Sequence, residues 1–97
     1  MTVKDYNDFA LLLSERSNLL NVIHFRMFLN LASTLNRGCK CNKDKLKEQV
    51  EQSYKTVLLK KKDDELFQKE IKQLLTNNEE ESITFYYKEE EIFSLSL

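Results

Sequence analysis

The densest helical pattern of apolar residues runs from Leu19 to Leu35. At about 100° per residue, its apolar side chains cover two flanks and leave one narrow polar stripe. The stripe consists of Arg26, Asn30, Ser33 and Arg37. A helix that is apolar around most of its circumference must be buried on several sides. The pattern therefore predicts a buried central helix over residues 18–36, with Gly38 as its C-terminal cap.

Helices are also predicted on both sides of the central one. Thr2 can cap a first helix over residues 3–15, in which apolar positions recur at helical spacing. Apolar positions at the same spacing predict a long third helix over residues 43–76. Its charged run at 60–65 is either a solvated stretch of that helix or a break at which Asp63 caps a fourth one. A single helix, about 50 Å long, is favoured because the run contains no Gly or Pro and offers i,i+4 ion pairs.

The pattern changes to period two near the C-terminus, which predicts two strands within residues 77–97. A three-residue loop, Glu89–Glu91, matches the apolar faces of the strands, whereas a two-residue loop sets apolar against polar side chains. The favoured pairs are Tyr87 with Phe93 and Phe85 with Leu95. Glutamate rarely adopts the positive φ that such loops need, so pairing of the strands with another subunit is the alternative.

These elements predict a mainly α protein with a small C-terminal β element, of the α+β class. Its expected parts are a helical hairpin around the buried central helix, a long third helix and two C-terminal strands. Residues 1–76 form the helical domain, and residues 77–97 form an acidic β segment. The chain of 97 residues suffices for one small core, and the absence of Pro and the single Gly suit helices.

Charge and hydropathy narrow the function classes. The net charge is −1, and residues 77–97 carry six acidic side chains against one basic one. This balance predicts no general attraction to nucleic acid or to anionic membranes. The central apolar stretch is too short to span a membrane and contains Arg26. The first residues lack the pattern of a signal peptide, so a cytoplasmic or virion location is expected rather than secretion.

Cys39 and Cys41 are the most suggestive pair chemically. Two thiols one residue apart could form half of a zinc site that a second chain completes. An isolated pair of this spacing is more often two ordinary thiols in a turn, so no metal or other cofactor is predicted. His24 lies on the apolar side of the central helix without a nucleophile or acid to complete a catalytic group. Enzymatic activity is therefore not expected.

Lys60, Lys61 and Lys62 form the basic cluster of the chain and are the candidate contacts to phosphate. Three acidic residues follow them directly, which favours a solvated and neutralised helix face instead. Nucleic acid is therefore not an expected partner.

The chain has more apolar surface than so few residues can hide, which predicts protein partners in a homo- or hetero-oligomer. The candidate partner-binding residues are Phe25, Phe28, Phe85, Tyr87, Phe93 and Leu95. The chain is therefore interpreted as a non-enzymatic structural or assembly subunit of a larger complex. Lysine outnumbers arginine by twelve to three, a composition typical of AT-rich genomes, and a tailed-phage virion component of the head, neck or tail is the concrete expectation. The alternative is a small regulator that binds nucleic acid or inhibits a host protein.

Overall fold

The computed structural model describes residues 1–16, 23–37 and 42–97. In chain order the elements are β1 (Thr2–Val3), α1 (Tyr6–Arg16), α2 (Ile23–Asn36), α3 (Lys43–Lys61), α4 (Glu65–Asn77), β2 (Ser82–Tyr87) and β3 (Glu90–Ser96). Four helices and a small sheet in the described residues confirm the predicted mainly α fold with a C-terminal β element.

The sheet has the strand order β1-β2-β3 and contains a strand that was not predicted. β1 runs parallel to β2, with Thr2 opposite Thr84 and Val3 opposite Phe85. The prediction that Thr2 caps the first helix is therefore wrong. Burial of Val3, which is 2% exposed, favours the strand because it adds an apolar side chain to the core.

The first helix begins later than predicted, at Tyr6. Asp5 caps it, because its carboxylate accepts hydrogen bonds from the backbone N–H groups of Asn7 and Asp8, at 3.0 and 3.1 Å. The chain thus leaves β1 and turns directly into α1, which places the apolar face of α1 beside the sheet.

The central helix α2 is buried largely by its own chain. The residues predicted at its start, 18–22, lie outside the described residues. Phe25 is 1% exposed and Phe28 is fully buried, in one core with side chains of α1, α3 and α4. A partner chain is therefore not needed to cover these two aromatic rings, contrary to the sequence-based expectation. Met27, on the outer flank of the helix, is 60% exposed.

The preference for one helix over residues 43–76 is wrong, because the chain breaks between α3 and α4. The N-cap of α4 is Asp64 rather than Asp63, with extended backbone at φ −77° and ψ 119°. Its carboxylate accepts hydrogen bonds from the N–H groups of Leu66 and Phe67 at 2.9 and 3.2 Å. The break lets α4 take a new direction, and Phe67 belongs to the same core as the buried side chains of α3.

The strands β2 and β3 pair with each other, but in a register different from the predicted one. Phe85 lies opposite Phe93, and Ile83 opposite Leu95, so the predicted register is wrong although it matched the faces correctly. The difference arises because the turn consists of Lys88 and Glu89, which adopt positive φ of 48° and 67°. A register shift between Phe85 and Tyr86 then restores the match of apolar faces.

The core has Phe9 of α1 at its centre, where helices and sheet meet. The centroid of its ring lies 5.3 Å from those of Phe28 and Tyr54, 5.9 Å from that of Phe25 and 6.2 Å from that of Phe85. Aromatic pairs at these separations contribute beyond the area that they bury. Residues of the helices and of β2 therefore belong to one continuous core.

Replacing Phe28 by alanine should lower the free energy of unfolding by about 3–5 kcal/mol, because it leaves a cavity in this core. Met27→Ala is the matched control, since the neighbouring side chain is 60% exposed and should change stability by less than about 1 kcal/mol. Urea unfolding followed by circular dichroism measures both. Equal losses would contradict burial of Phe28 by its own chain.

Asp64→Ala should lower the urea midpoint more than Asp63→Ala, because only Asp64 caps α4. The hydrogen bond from the Phe67 N–H, followed by that from Lys61, lowers the pKa of Asp64 from its ordinary value of 3.8. The stabilisation that the Asp64 carboxylate gives the folded state is complete above pH 3.8. It is lost as the pH falls through the lower pKa that Asp64 has in the folded chain. The difference in midpoint between the wild type and Asp64→Ala should therefore shrink on acidification below pH 3.8. A pH-independent difference would contradict the assignment.

Candidate functional site

The side chains weighed from the sequence for metal binding or catalysis lie outside the described part of the chain. They are those of Cys39, Cys41 and His24. Within residues 1–16, 23–37 and 42–97, no three His, Cys, Asp or Glu side chains are grouped so that they could hold a metal ion. Nor is any helix of these ranges both long and apolar enough to cross a membrane.

The lysine cluster lies at the C-terminal end of α3, where positive charge interacts favourably with the helix dipole. Lys61 forms an ion pair with Asp64, at 3.2 Å between Nζ and Oδ2. The backbone carbonyl of Lys62 accepts a hydrogen bond from Gln68 at 2.7 Å. Lys60 is exposed. The cluster thus takes part in the connection between α3 and α4, in addition to any contact it could make with phosphate.

Tyr54 is the buried titratable group of α3, and its hydroxyl donates a hydrogen bond to the backbone carbonyl of Tyr86. Burial raises the pKa of Tyr54, and the negative charges of Asp5 and Asp8 raise it further. The neutral phenol is therefore held in place as a donor that joins α3 to β2. A group that keeps its proton in this way is a structural element rather than a base.

The six predicted partner-binding residues separate into two groups. Phe25, Phe28 and Phe85 are within the core and offer no surface to another chain. Tyr87, Phe93 and Leu95 are half-buried and pack against the edge of the core. The ring of Phe93 stacks on that of Phe85 with 4.6 Å between centroids. The accessible members of the predicted set therefore lie on the C-terminal hairpin, two of them on β3.

β3 is an outer strand of the sheet, and its backbone geometry decides what it exposes. Leu97 donates its N–H to the carbonyl of Glu81 at 2.9 Å, which points it towards β2. Backbone N–H and C=O groups of successive residues in a strand point to opposite sides. The backbone N–H and C=O groups of Leu95 therefore also point towards β2, whereas those of Ser94 and Ser96 point away from β2. Among the described residues, no strand pairs with that outer side.

The side chains of β3 alternate between the two faces of the sheet. Phe93 and Leu95 lie on the face that packs against the helices, and Ser94 and Ser96 are exposed on the other face. Leu97 continues the apolar side and is 63% exposed. The charged side chains of β3 are Glu90 and Glu91, at its start, and Glu89 precedes them in the turn. Residues 92–97 carry no charged side chain.

A groove of about 360 Å³ between α2 and α3 is another candidate binding surface. Met27 lines it on α2, and Ser53, Thr56 and Lys60 line it on α3. Its polar groups are side chains, which solvent can satisfy in many arrangements. The outer side of β3 instead presents backbone groups at a fixed spacing, so it specifies the geometry of a partner. This edge is the candidate functional site.

Sequence reasoning found the strand of this site but not its position at the edge of a three-stranded sheet. The missing element is β1, which pairs with the other side of β2 and makes β2 the central strand, with β3 at one edge of the sheet. The sequence offered one indication of β1: the apolar Val3 stands two residues before Asp5, a residue type that favours the N-cap of a helix. A segment of two residues is too short to show the alternation that identifies a strand.

Comparisons with protein-family models, curated proteins and solved structures found no match to this chain.

Tyr54→Phe should lower the free energy of unfolding by about 1 kcal/mol, because the Tyr86 carbonyl loses its donor. The folded-state pKa of Tyr54 is raised, so its stabilisation is complete below the ordinary value of 10.0 and is lost as the pH rises above it. The wild type should therefore lose stability more steeply than Tyr54→Phe above pH 10.0. Urea midpoints measured from neutral to alkaline pH test this, and parallel curves would contradict it.

Proposed function

We propose that this chain is a non-enzymatic assembly subunit that joins a neighbouring polypeptide chain through the outer side of β3. The observation that carries the proposal is the uncharged stretch 92–97, whose outward backbone groups have no strand beside them in the described part of the chain. Unpaired N–H and C=O groups in a row are a template for a further strand. The mode of binding would be strand addition.

Proteins that stay monomeric usually protect such an edge with charge, proline or a bulge. Here the protection is restricted to the first half of the strand, where Glu90 and Glu91 precede the register shift. From Phe93 onwards the strand is regular and uncharged. The edge of β3 is thus protected by charge at its beginning and unprotected from Phe93 onwards. This difference favours binding of a partner strand beside the unprotected part.

Apolar side chains outside the core add to this support. Met27, Leu66 and Leu97 are each at least 60% exposed. Single exposed apolar residues are common on any protein, so these residues are secondary to the edge itself. The lysine-rich composition, typical of AT-rich genomes, extends the proposal to a tailed-phage virion component as the particular kind of complex.

Ser96→Pro should release the chain from its complex, because proline removes an N–H that points outwards from β3. Ser96→Ala, which keeps the N–H, is the matched control. Tagged variants are expressed in the cells from which the sequence derives, and the mass of the particle that contains each is measured by native mass spectrometry. The wild type and Ser96→Ala should occur in a particle at fixed stoichiometry. The fraction of the chain found in the particle should be about tenfold lower for Ser96→Pro, equivalent to about 1.4 kcal/mol of binding free energy.

Two results would contradict the proposal. One is recovery of the wild type only as a free chain of 11.6 kDa. The other is a complex that Ser96→Pro leaves intact while circular dichroism shows this variant to be folded. The second result would place the binding surface elsewhere on the molecule.

A further inference from the structure

We infer that the strand beside β3 is the β3 of a second copy of this chain, antiparallel to the first and centred on Leu95. The two sheets would then form one continuous sheet of six strands around a two-fold axis. This inference rests on the proposed function, since it names the partner for the same edge. It follows from the order of residues along the strand and from the direction of their backbone groups.

The backbone groups fit this register. Ser94 and Ser96 direct their N–H and C=O groups outwards, and a two-fold axis at Leu95 sets Ser94 of each copy opposite Ser96 of the other. Outward groups then meet outward groups, which gives hydrogen-bonded pairs on both sides of the axis. Leu95 lies opposite Leu95 of the second copy as a non-hydrogen-bonded pair, the kind in which side chains approach most closely.

The side chains fit it as well. Phe93 of each copy faces Leu97 of the other, and both residues lie on the face that packs against the helices. This contact would cover Leu97, which is 63% exposed in the single chain. Serine meets serine on the opposite face, so no apolar side chain is set against a polar one. Cross-strand pairs of matched type stabilise a sheet.

Electrostatics do not oppose the pairing, although the C-terminal segment is acidic. In this register Glu91 of one copy lies about 25 Å along the strand from Glu91 of the other. The Debye length at physiological ionic strength is about 8 Å, so their repulsion is screened. A foreign strand rich in lysine would gain from the glutamates but would have no intrinsic reason to match the alternation of residues 93–97. The second copy matches it by its own sequence.

Cysteine cross-linking of the purified chain tests the register. In a background where Cys39 and Cys41 are replaced by serine, Leu95→Cys places two thiols across the axis, within reach of a disulfide. Ser94→Cys is the matched control, because its two thiols would be farther apart than a disulfide spans. Mild oxidation should convert Leu95→Cys to a covalent dimer at least tenfold faster than Ser94→Cys, although Ser94 is more exposed than Leu95. Equal rates, or faster reaction of Ser94→Cys, would overturn the proposed register.

Light scattering of the chain without cysteine substitutions tests the self-association itself. The wild type at high micromolar concentration should show about twice the monomer mass of 11.6 kDa and dissociate on dilution, as a small interface requires. Ser94→Pro should remain monomeric, since the outward N–H is lost, and Ser94→Ala should dimerise like the wild type. Circular dichroism confirms that each variant is folded. A folded wild type that stays monomeric overturns the inference.

This failure can be distinguished from failure of the proposed function. If the purified chain is monomeric but Ser96→Pro still releases it from a complex in cells, the edge binds a different protein and the proposed function stands. If neither experiment shows dependence on the edge, both are wrong.

Discussion

The packing of aromatic rings around Phe9 is the interaction on which the rest of the fold depends. This side chain contacts rings from α2, α3 and β2, so it joins the helices to the sheet at one point. A chain of 97 residues has room for a single core, and each element must reach it. The break before α4 and the late start of α1 both follow from this requirement, because each brings apolar side chains to the same cluster.

Concentrating the core on one face of the sheet has a consequence at its edges. The helices cover the face that carries Ile83 and Phe85, and the opposite face carries exposed Ser82, Ser94 and Ser96. β1 adds two residues beside β2, and nothing comparable lies beside β3 in the described residues. The aromatic side chains of the described core are therefore covered by their own chain, whereas the outer side of β3 has no strand beside it in the described residues. This is why the case for a partner moves from the central helix to the last strand.

The charges follow the same division. Lys61 and Asp64 pair locally and organise the connection between two helices, so part of the basic cluster has a structural role. Glu89 lies in the turn of the hairpin, and Glu90 and Glu91 protect the beginning of β3. Tyr54 has a raised pKa because it is buried where α3 contacts β2.

The sequence by itself determined the elements with strong periodicity: the central helix, the helical content around it and the alternating C-terminal strands. It also identified correctly which face of each strand is apolar, because alternation is a local property. Tertiary structure alone decided the strand at Thr2–Val3, the break at Asp64 and the register set by positive φ at Lys88 and Glu89. Each of these depends on contacts between residues far apart in the chain, where burial outweighs local preference. Sequence and tertiary structure both contribute to the candidate site. The alternation of apolar and polar side chains is a property of the sequence of residues 93–97, and the position of β3 at the edge of the sheet results from the packing of the chain.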